Sequence, residues 1–294
     1  MDITIALGGG GSRGVVHIGV LRGLENAGFR IRSVAGTSIG SLVGIFYASG
    51  YTPDEIEAIF AGVDQSKLFG WPFSDGPGIL GVNRIRDFLF SHLGNATFND
   101  LKIPAAAVAV DLLSGREIIL QQGSVVEAIL GSIAVPGLFP PKYLDGYRLI
   151  DGGTLDPVPV RAARMLSPGL PVIAVSLLPP LGVPSAPMRI ISIPAANTIV
   201  KQFSRLSITQ AFQIFAESVE IASREMAELR LAIDKPELII RPNVDGINLL
   251  DKVEIVELSK RGELATIEMI PALLKAKSFS GLLLKALKNT FHFR

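Results

Sequence analysis

A serine stands between two glycines in Gly36-Thr37-Ser38-Ile39-Gly40, at the end of the apolar run 31–35 and the start of another, 39–48. A serine at the apex of a strand-turn-helix is pushed out of the sheet with strained backbone angles, and flanking glycines let the neighbouring backbone close around it. Ser38 is therefore the candidate nucleophile, with Gly36 and Gly40 forming its elbow. In a chain holding 30 glycines the same pattern also suits an ordinary helix-capping serine with turn residues beside it.

A second stretch, Gly8-Gly9-Gly10-Gly11-Ser12-Arg13-Gly14, follows a strand-like run at 3–7 and opens a helical pattern over 15–27, where Val16, Val20 and Leu24 recur every four residues. Backbone N–H groups without side chains, at a helix N-terminus, make a pocket for negative charge. Gly9-x-Gly11-x-x-Gly14 matches the dinucleotide fingerprint, which also wants an acid about 20 positions on, at the end of the second strand. Here that strand ends in Val34-Ala35-Gly36-Thr37-Ser38, without the acid. No Lys-Ser or Lys-Thr pair follows the glycines either, so a Walker phosphate loop fails. The better reading is an oxyanion hole whose amides stabilise the tetrahedral intermediate formed when Ser38 attacks a carbonyl. A plain tight turn needs one or two glycines, not four in a row.

A serine hydroxyl is a poor nucleophile until something takes its proton, and histidine is the usual partner. The chain has three histidines, His17, His92 and His292. The order serine, acid, histidine leaves only His292 at the C-terminal end, an unfavourable place. A carboxylate within hydrogen-bond reach can serve instead if the site is dry enough to raise its basicity. Asp151, in Arg148-Leu149-Ile150-Asp151-Gly152-Gly153, follows a strand-like run and precedes two glycines, which leaves its carboxylate bare at a strand end. The histidines then read as structural or surface residues.

The elements that must position these groups alternate between strand and helix. After the elbow helix, Thr52 caps a helix that starts at Pro53 and runs to about Ala61. The aromatic, proline-rich segment 69–78 suits either a flap or a cluster packed under a long loop. A helix over 82–93 and a connector over 95–100 lead to strands at 105–110 and 117–121. A short helix at 125–130 precedes an apolar loop, 131–141, which suits either the lining of an acyl pocket or a rigid buried connection. Further elements are a helix at 158–166, a strand at 172–177, a long helical region over 195–232 and a strand at 237–241. No repeat, low-complexity tract or linker divides them.

Composition agrees with one α/β domain. Of 294 residues 48% are hydrophobic, enough for a full core, and 28 basic residues against 27 acidic ones argue against nucleic acid as a partner. There is no cysteine, which excludes disulfides, thiol nucleophiles and zinc-thiolate sites. The N-terminus lacks a basic region before its short apolar run, so no signal peptide is expected, and a cytoplasmic protein is. Mean hydropathy is high at +0.43, which fits a buried parallel sheet or affinity for a lipid surface. Beyond Glu268 the chain has no acid but keeps Lys275, Lys277, Lys285, Lys288 and Arg294, while Phe279, Leu282, Leu283, Leu287 and Phe291 share one helical face. Such a helix can lie on an anionic membrane or pack on the domain.

The glycine loop, the elbow around Ser38, the Ser132–Pro141 loop and the Asp151-Gly152-Gly153 turn together resemble, in order and context, the patatin-like phospholipases, particularly the short bacterial members. The resemblance implies a three-layer α/β/α domain over 1–275, with a mainly parallel sheet, followed by a cationic amphipathic tail at 276–294. It implies a Ser-Asp dyad without histidine, metal or cofactor: Ser38 as nucleophile, Asp151 as base, and the Gly9, Gly10 and Gly11 amides as oxyanion hole. Arg13 matches that loop's basic position and, with Gly14, would support it. The activity implied is hydrolysis of lipid carboxylic esters through an acyl-enzyme, of phospholipase A or lysophospholipase type, possible at an anionic membrane surface. Two alternatives stand beside it: a non-catalytic lipid-binding or regulatory protein on the same fold, and a dinucleotide-binding oxidoreductase.

Overall fold

The computed structural model describes residues 1–65, 81–180, 182 and 199–277. Their strands are β1 (Asp2–Leu7), β2 (Arg30–Thr37), β3 (Ala105–Asp111), β4 (Arg116–Leu120), β5 (Lys142–Leu144), β6 (Tyr147–Asp151), β7 (Val172–Val175) and β8 (Leu238–Ile240). The helices are α1 (Val16–Asn26), α2 (Ile39–Ala48), α3 (Pro53–Ala61), α4 (Asn83–Leu93), α5 (Val125–Ser132), α6 (Val160–Leu166), α7 (Ile199–Asp234) and α8 (Ile255–Lys277).

All eight strands join one sheet. Its centre, β3-β2-β1-β7-β8, is parallel, and β4, β5 and β6 add antiparallel pairs beyond β3. Parallel strands buried on both faces lack the alternation of an amphipathic sheet, yet their residues still alternate between two cores. Ile3, Ile5 and Leu7 of β1 enter the larger core, with Ile18, Leu21 and Leu24 of α1 and Val43 and Phe46 of α2. Ala6 points the other way, into a core shared with Ala162 and Ala163 of α6 and Ala227 and Leu231 of α7.

The second face is built from small residues. Ala174, Ala6, Ala35 and Ala106 pair in register across four neighbouring strands. A flat row of methyl groups lets α6 lie close to the sheet, so a larger side chain there would overpack it. The sheet is thus covered on both faces, the α/β/α layering expected from the sequence.

Local signals read from the sequence hold where their chemistry is local. Thr52 caps α3 through a capping box with Glu55, and Pro53 occupies the first turn. Helix α5 runs on to Ser132, so the apolar connection after it is shorter than the sequence reading had it. Helix α8 had no clear sequence signal. It contains Pro271, and it packs on α1 through glycines: a Cβ on Gly19 would run into the Ser259 carbonyl, and one on Gly262 into the Val16 carbonyl. The aromatic segment 69–78 and the tail beyond Lys277 lie outside the described residues. Among those described, no helix is long and apolar enough to cross a membrane.

Candidate active site

Ser38 joins β2 to α2 with φ 54° and ψ −125°, a left-handed conformation that a side chain rarely adopts. The turn closes because its glycines are bare. A Cβ on Gly36 would collide with the Gly40 carbonyl, and one on Gly40 with the Leu7 carbonyl. The strain is held by hydrogen bonds on every backbone polar group of Ser38. Its N–H donates to Ser132 Oγ at 2.9 Å, and its carbonyl accepts from Ser41 N–H at 2.9 Å and Ser41 Oγ at 2.6 Å. The hydroxyl makes no capping bond to α2. It lies beside the Asp151 carboxylate instead, whose charged form it favours, so Ser38 is not a capping serine.

The sheet topology brings Asp151 to it. Strand β3 pairs with β2 over 105–108, with β6 over 109–111, and with β4 over 107–111. A strand has two edges, and β4 overlaps both other partners, so β2 and β6 follow one another along the same edge. Thr37 is paired with Val108 and Asp151 with Ala109. The last residue of β6 therefore arrives beside the residue that follows β2. Asp151 is 6% exposed and Ser38 7%. Burial pushes the Asp151 carboxyl up to about 6, while the neighbouring Ser38 hydroxyl and the Gly153 N–H, which donates to it at 2.7 Å, hold it down.

The glycine loop lies against the serine: a Cβ on Gly9 would stand 3.4 Å from Ser38 Cβ. Its amides are not equivalent. The Gly8 N–H donates to the Val175 carbonyl and the Gly9 N–H to the Pro157 carbonyl, each at 2.9 Å. Gly9 is thus committed to holding the loop in place. Among the described residues, the Gly10 and Gly11 N–H groups donate to no backbone carbonyl. Gly11 has φ 58°, and its Cα faces the Leu249 carbonyl too closely for any side chain. Arg13 ties the loop down from outside, Nε to the Ile247 carbonyl at 2.6 Å and a guanidinium N–H to Glu220 of α7 at 2.8 Å. Gly14 lets Ile39, the first residue of α2, press against the loop.

Three contributors were not singled out from the sequence. Ser132 is fully buried, accepts from Ser38 N–H and donates to the Val108 carbonyl at 2.6 Å. Thr37 Oγ1 donates to the Asp156 carbonyl at 2.8 Å, which ties the elbow to the segment after Asp151. Ser223 of α7 donates to the Gly153 carbonyl at 3.1 Å and braces that segment from above. Ser132 ends α5 just before a proline-punctuated apolar stretch, and a lone hydroxyl in such a run is the signal that could have found it.

Two of the three histidines lie within the described residues. His17 is fully buried beneath the glycine loop. His92 lies in α4 with Nδ1 2.9 Å from the Phe88 carbonyl, in an aromatic group with Phe46 and Phe88. Neither is bonded to Ser38. Among the described residues no group of three or more histidines and carboxylates is arranged to hold a metal.

A family model described as patatin-like phospholipase matches residues 5–164. An uncharacterized NTE family protein of Mycobacterium tuberculosis is 38% identical over 177 residues, covering 60% of this chain and 49% of its own. Another from that species is 27% identical over 279 residues, covering 90% of this chain and 46% of its own. The lysophospholipase NTE1 of Mycosarcoma maydis is 33% identical over 170 residues, 54% of this chain and 9% of its own. This chain thus spans about half the length of the mycobacterial relatives. Among solved structures, VipD from Legionella pneumophila shares the fold, with a TM-score of 0.58 at 13% identity over 92% of this chain and 66% of that one. Since the family model takes in more than half of the 294 residues, from within β1 to α6, the chain belongs to the patatin-like phospholipase family.

Proposed function

We propose that this protein is a serine hydrolase of lipid carboxylic esters, of phospholipase A or lysophospholipase type, working through a Ser38–Asp151 dyad. The observation that carries the reading is that the strained Ser38 turn sets its hydroxyl beside a buried carboxylate whose pKa is raised to about 6. A general base is most useful when its pKa lies near the working pH. Asp151 at about 6 is ionised at neutral pH and basic enough to take a proton as it is needed.

Ser38 Oγ attacks the ester carbonyl and its proton passes to Asp151. The new oxyanion faces the Gly10 and Gly11 amides, the loop donors left uncommitted by backbone pairing. As the tetrahedral intermediate collapses, Asp151 returns the proton to the leaving alcohol, and the acyl group remains on Ser38. A water then attacks the acyl-enzyme; Asp151 takes its proton and gives it back to Ser38 Oγ, which releases the fatty acid. Arg13 supports the loop through Ile247 and Glu220 rather than touching the reacting atoms. The lysophospholipase among the relatives supports a lipid ester as substrate. The run of lysines after Glu268 supports meeting it at an anionic surface.

The test is hydrolysis of p-nitrophenyl butyrate, and of phospholipid vesicles with and without anionic lipid, by wild type, Ser38→Ala and Asp151→Asn. Wild-type turnover absent from both variants is the expected result. An inactive wild type, or full activity in Ser38→Ala, overturns the reading and leaves lipid binding without turnover.

A further inference from the structure

His17 is the second residue of α1, and its ring is fully buried. Nε2 lies 2.7 Å from the Gly8 carbonyl. A carbonyl can only accept, so Nε2 carries the proton and the other ring nitrogen is a bare acceptor. That acceptor, Nδ1, is buried and has no hydrogen-bond partner. A buried acceptor left unpaired is destabilising. A residue needed only to fill this space would be better as leucine or phenylalanine. What the imidazole adds is the single bond to Gly8.

That bond falls at a sensitive place. The Gly8 carbonyl and the Gly9 N–H belong to one peptide group. The carbonyl is held by His17, and the N–H by the Pro157 carbonyl at 2.9 Å. The next two amides along the chain are Gly10 and Gly11. A peptide between glycines meets little steric resistance to rotation, so a plane that matters has to be held at its ends.

We propose that His17 is a positioning residue for the oxyanion hole: by holding the Gly8 carbonyl, it fixes the Gly8–Gly9 peptide plane and so the direction in which the Gly10 and Gly11 N–H groups point. The inference rests on the hydrolase reading above. If the Gly8 carbonyl is released, the peptide can turn and swing the Gly10 and Gly11 N–H groups, which follow it in the chain, away from the developing negative charge. The bond is indifferent to pH in the working range. Burial holds the imidazole down to about 4, so it stays neutral throughout.

The experiment compares wild type, His17→Gln, His17→Asn, His17→Leu and Ser38→Ala on p-nitrophenyl butyrate, with far-UV circular dichroism for each. Glutamine is long enough to place an N–H on the Gly8 carbonyl; asparagine is one bond short, and leucine has no donor. The expected result is a loss in kcat of about 100-fold for leucine and asparagine with KM little changed, and kcat within about tenfold of wild type for glutamine. The acid limb set by Asp151 should stay in place in every variant. Folded leucine and asparagine proteins with wild-type kcat overturn the proposal, as does a glutamine protein as impaired as the leucine one, or a loss confined to KM. If the leucine protein does not fold, glutamine and asparagine decide it, and equal kcat in those two overturns it. A wild type without Ser38-dependent turnover overturns the hydrolase reading and this proposal together. Ser38-dependent turnover untouched by His17 substitution removes this proposal alone.

Discussion

Asp151 and Asp156 lie in one short segment, both are buried, and in both burial is the largest cause of a raised pKa. They differ in what meets their oxygens. Asp151 accepts from the Gly153 N–H and has the Ser38 hydroxyl beside it, which favour the carboxylate and stop the rise at about 6. Neither oxygen of Asp156 has a hydrogen-bond partner. It faces Glu117 of β4 and Asp234 of α7, like charges that push it further, while Arg230 of α7 and Arg161 of α6 pull the other way. Both arginines are already held by Glu117, at 2.7 and 3.1 Å. The result is about 8, so Asp156 is an uncharged acid at neutral pH. Burial alone makes a carboxyl hold its proton; donors aimed at it make a base that can let the proton go. Asp156 serves the site through its backbone instead. Its N–H donates to the Gly152 carbonyl and its carbonyl accepts from Thr37, both at 2.8 Å.

The hardest test of this contrast is a pair of isosteric changes. Asp151→Asn is expected to lower kcat/KM by about 1,000-fold or more, and Asp156→Asn by no more than about threefold. Similar losses in the two would end the distinction. In wild type, kcat/KM should rise with pH through about 6 as Asp151 ionises, and Asp156→Asn should leave that limb in place.

Ser132→Ala comes next in size. It strips the acceptor from the Ser38 N–H and the donor from the Val108 carbonyl, both buried. A loss of about 2 kcal/mol in urea unfolding is expected, with roughly tenfold lower kcat from a loosened elbow. Unchanged kcat at reduced stability would show that Asp151 alone keeps Ser38 in place.

The pH dependence of stability separates the two carboxyls again. Both are raised above their ordinary value of 3.8, so each folded form binds its proton more tightly than the unfolded chain. The stability they contribute is complete below that value. It is lost as pH rises, up to about 6 for Asp151 and about 8 for Asp156. Between those two values only Asp156 of the pair still titrates. Urea unfolding there should show Asp156→Asn losing less stability with rising pH than wild type, by about 1.4 kcal/mol per pH unit. Parallel slopes would mean that Asp156 is already ionised. The smallest effect belongs to Thr37→Val, which removes only the donor to the Asp156 carbonyl. About 1 kcal/mol and a few-fold in kcat are expected, read from the same two assays.

The sequence showed the candidate site in unequal parts. Ser38 was legible because its demand is local: a strained turn between a strand and a helix needs glycine at 36 and 40, and those residues stand next to it in the chain. The strands 2–7 and 30–37 and the helices 39–48 and 53–61 were legible for the same reason, through apolar periodicity and caps. Asp151 was visible as a bare carboxylate at a strand end, and its assignment as the base leaned on a family resemblance, since nothing local says what it faces. Ser132, Thr37 and His17 escaped because their partners lie on other elements, at Ser38, Asp156 and Gly8. Helix α8 escaped because its packing depends on glycines meeting a helix more than two hundred residues away in the chain.

By itself, then, the sequence determined where the chain turns and which residues have a reactive side chain or a bare amide to offer, because backbone strain, capping and periodicity act within a few residues. Tertiary structure decided which of these meet. Strand β6 lies end to end with β2 along one edge of β3, which sets Asp151 against Ser38; the Pro157 carbonyl takes the Gly9 amide and leaves Gly10 and Gly11; and donors reach Asp151 but not Asp156. Hydrogen-bond reach is a few ångströms, and only the folded sheet sets distances of that size between residues a hundred positions apart.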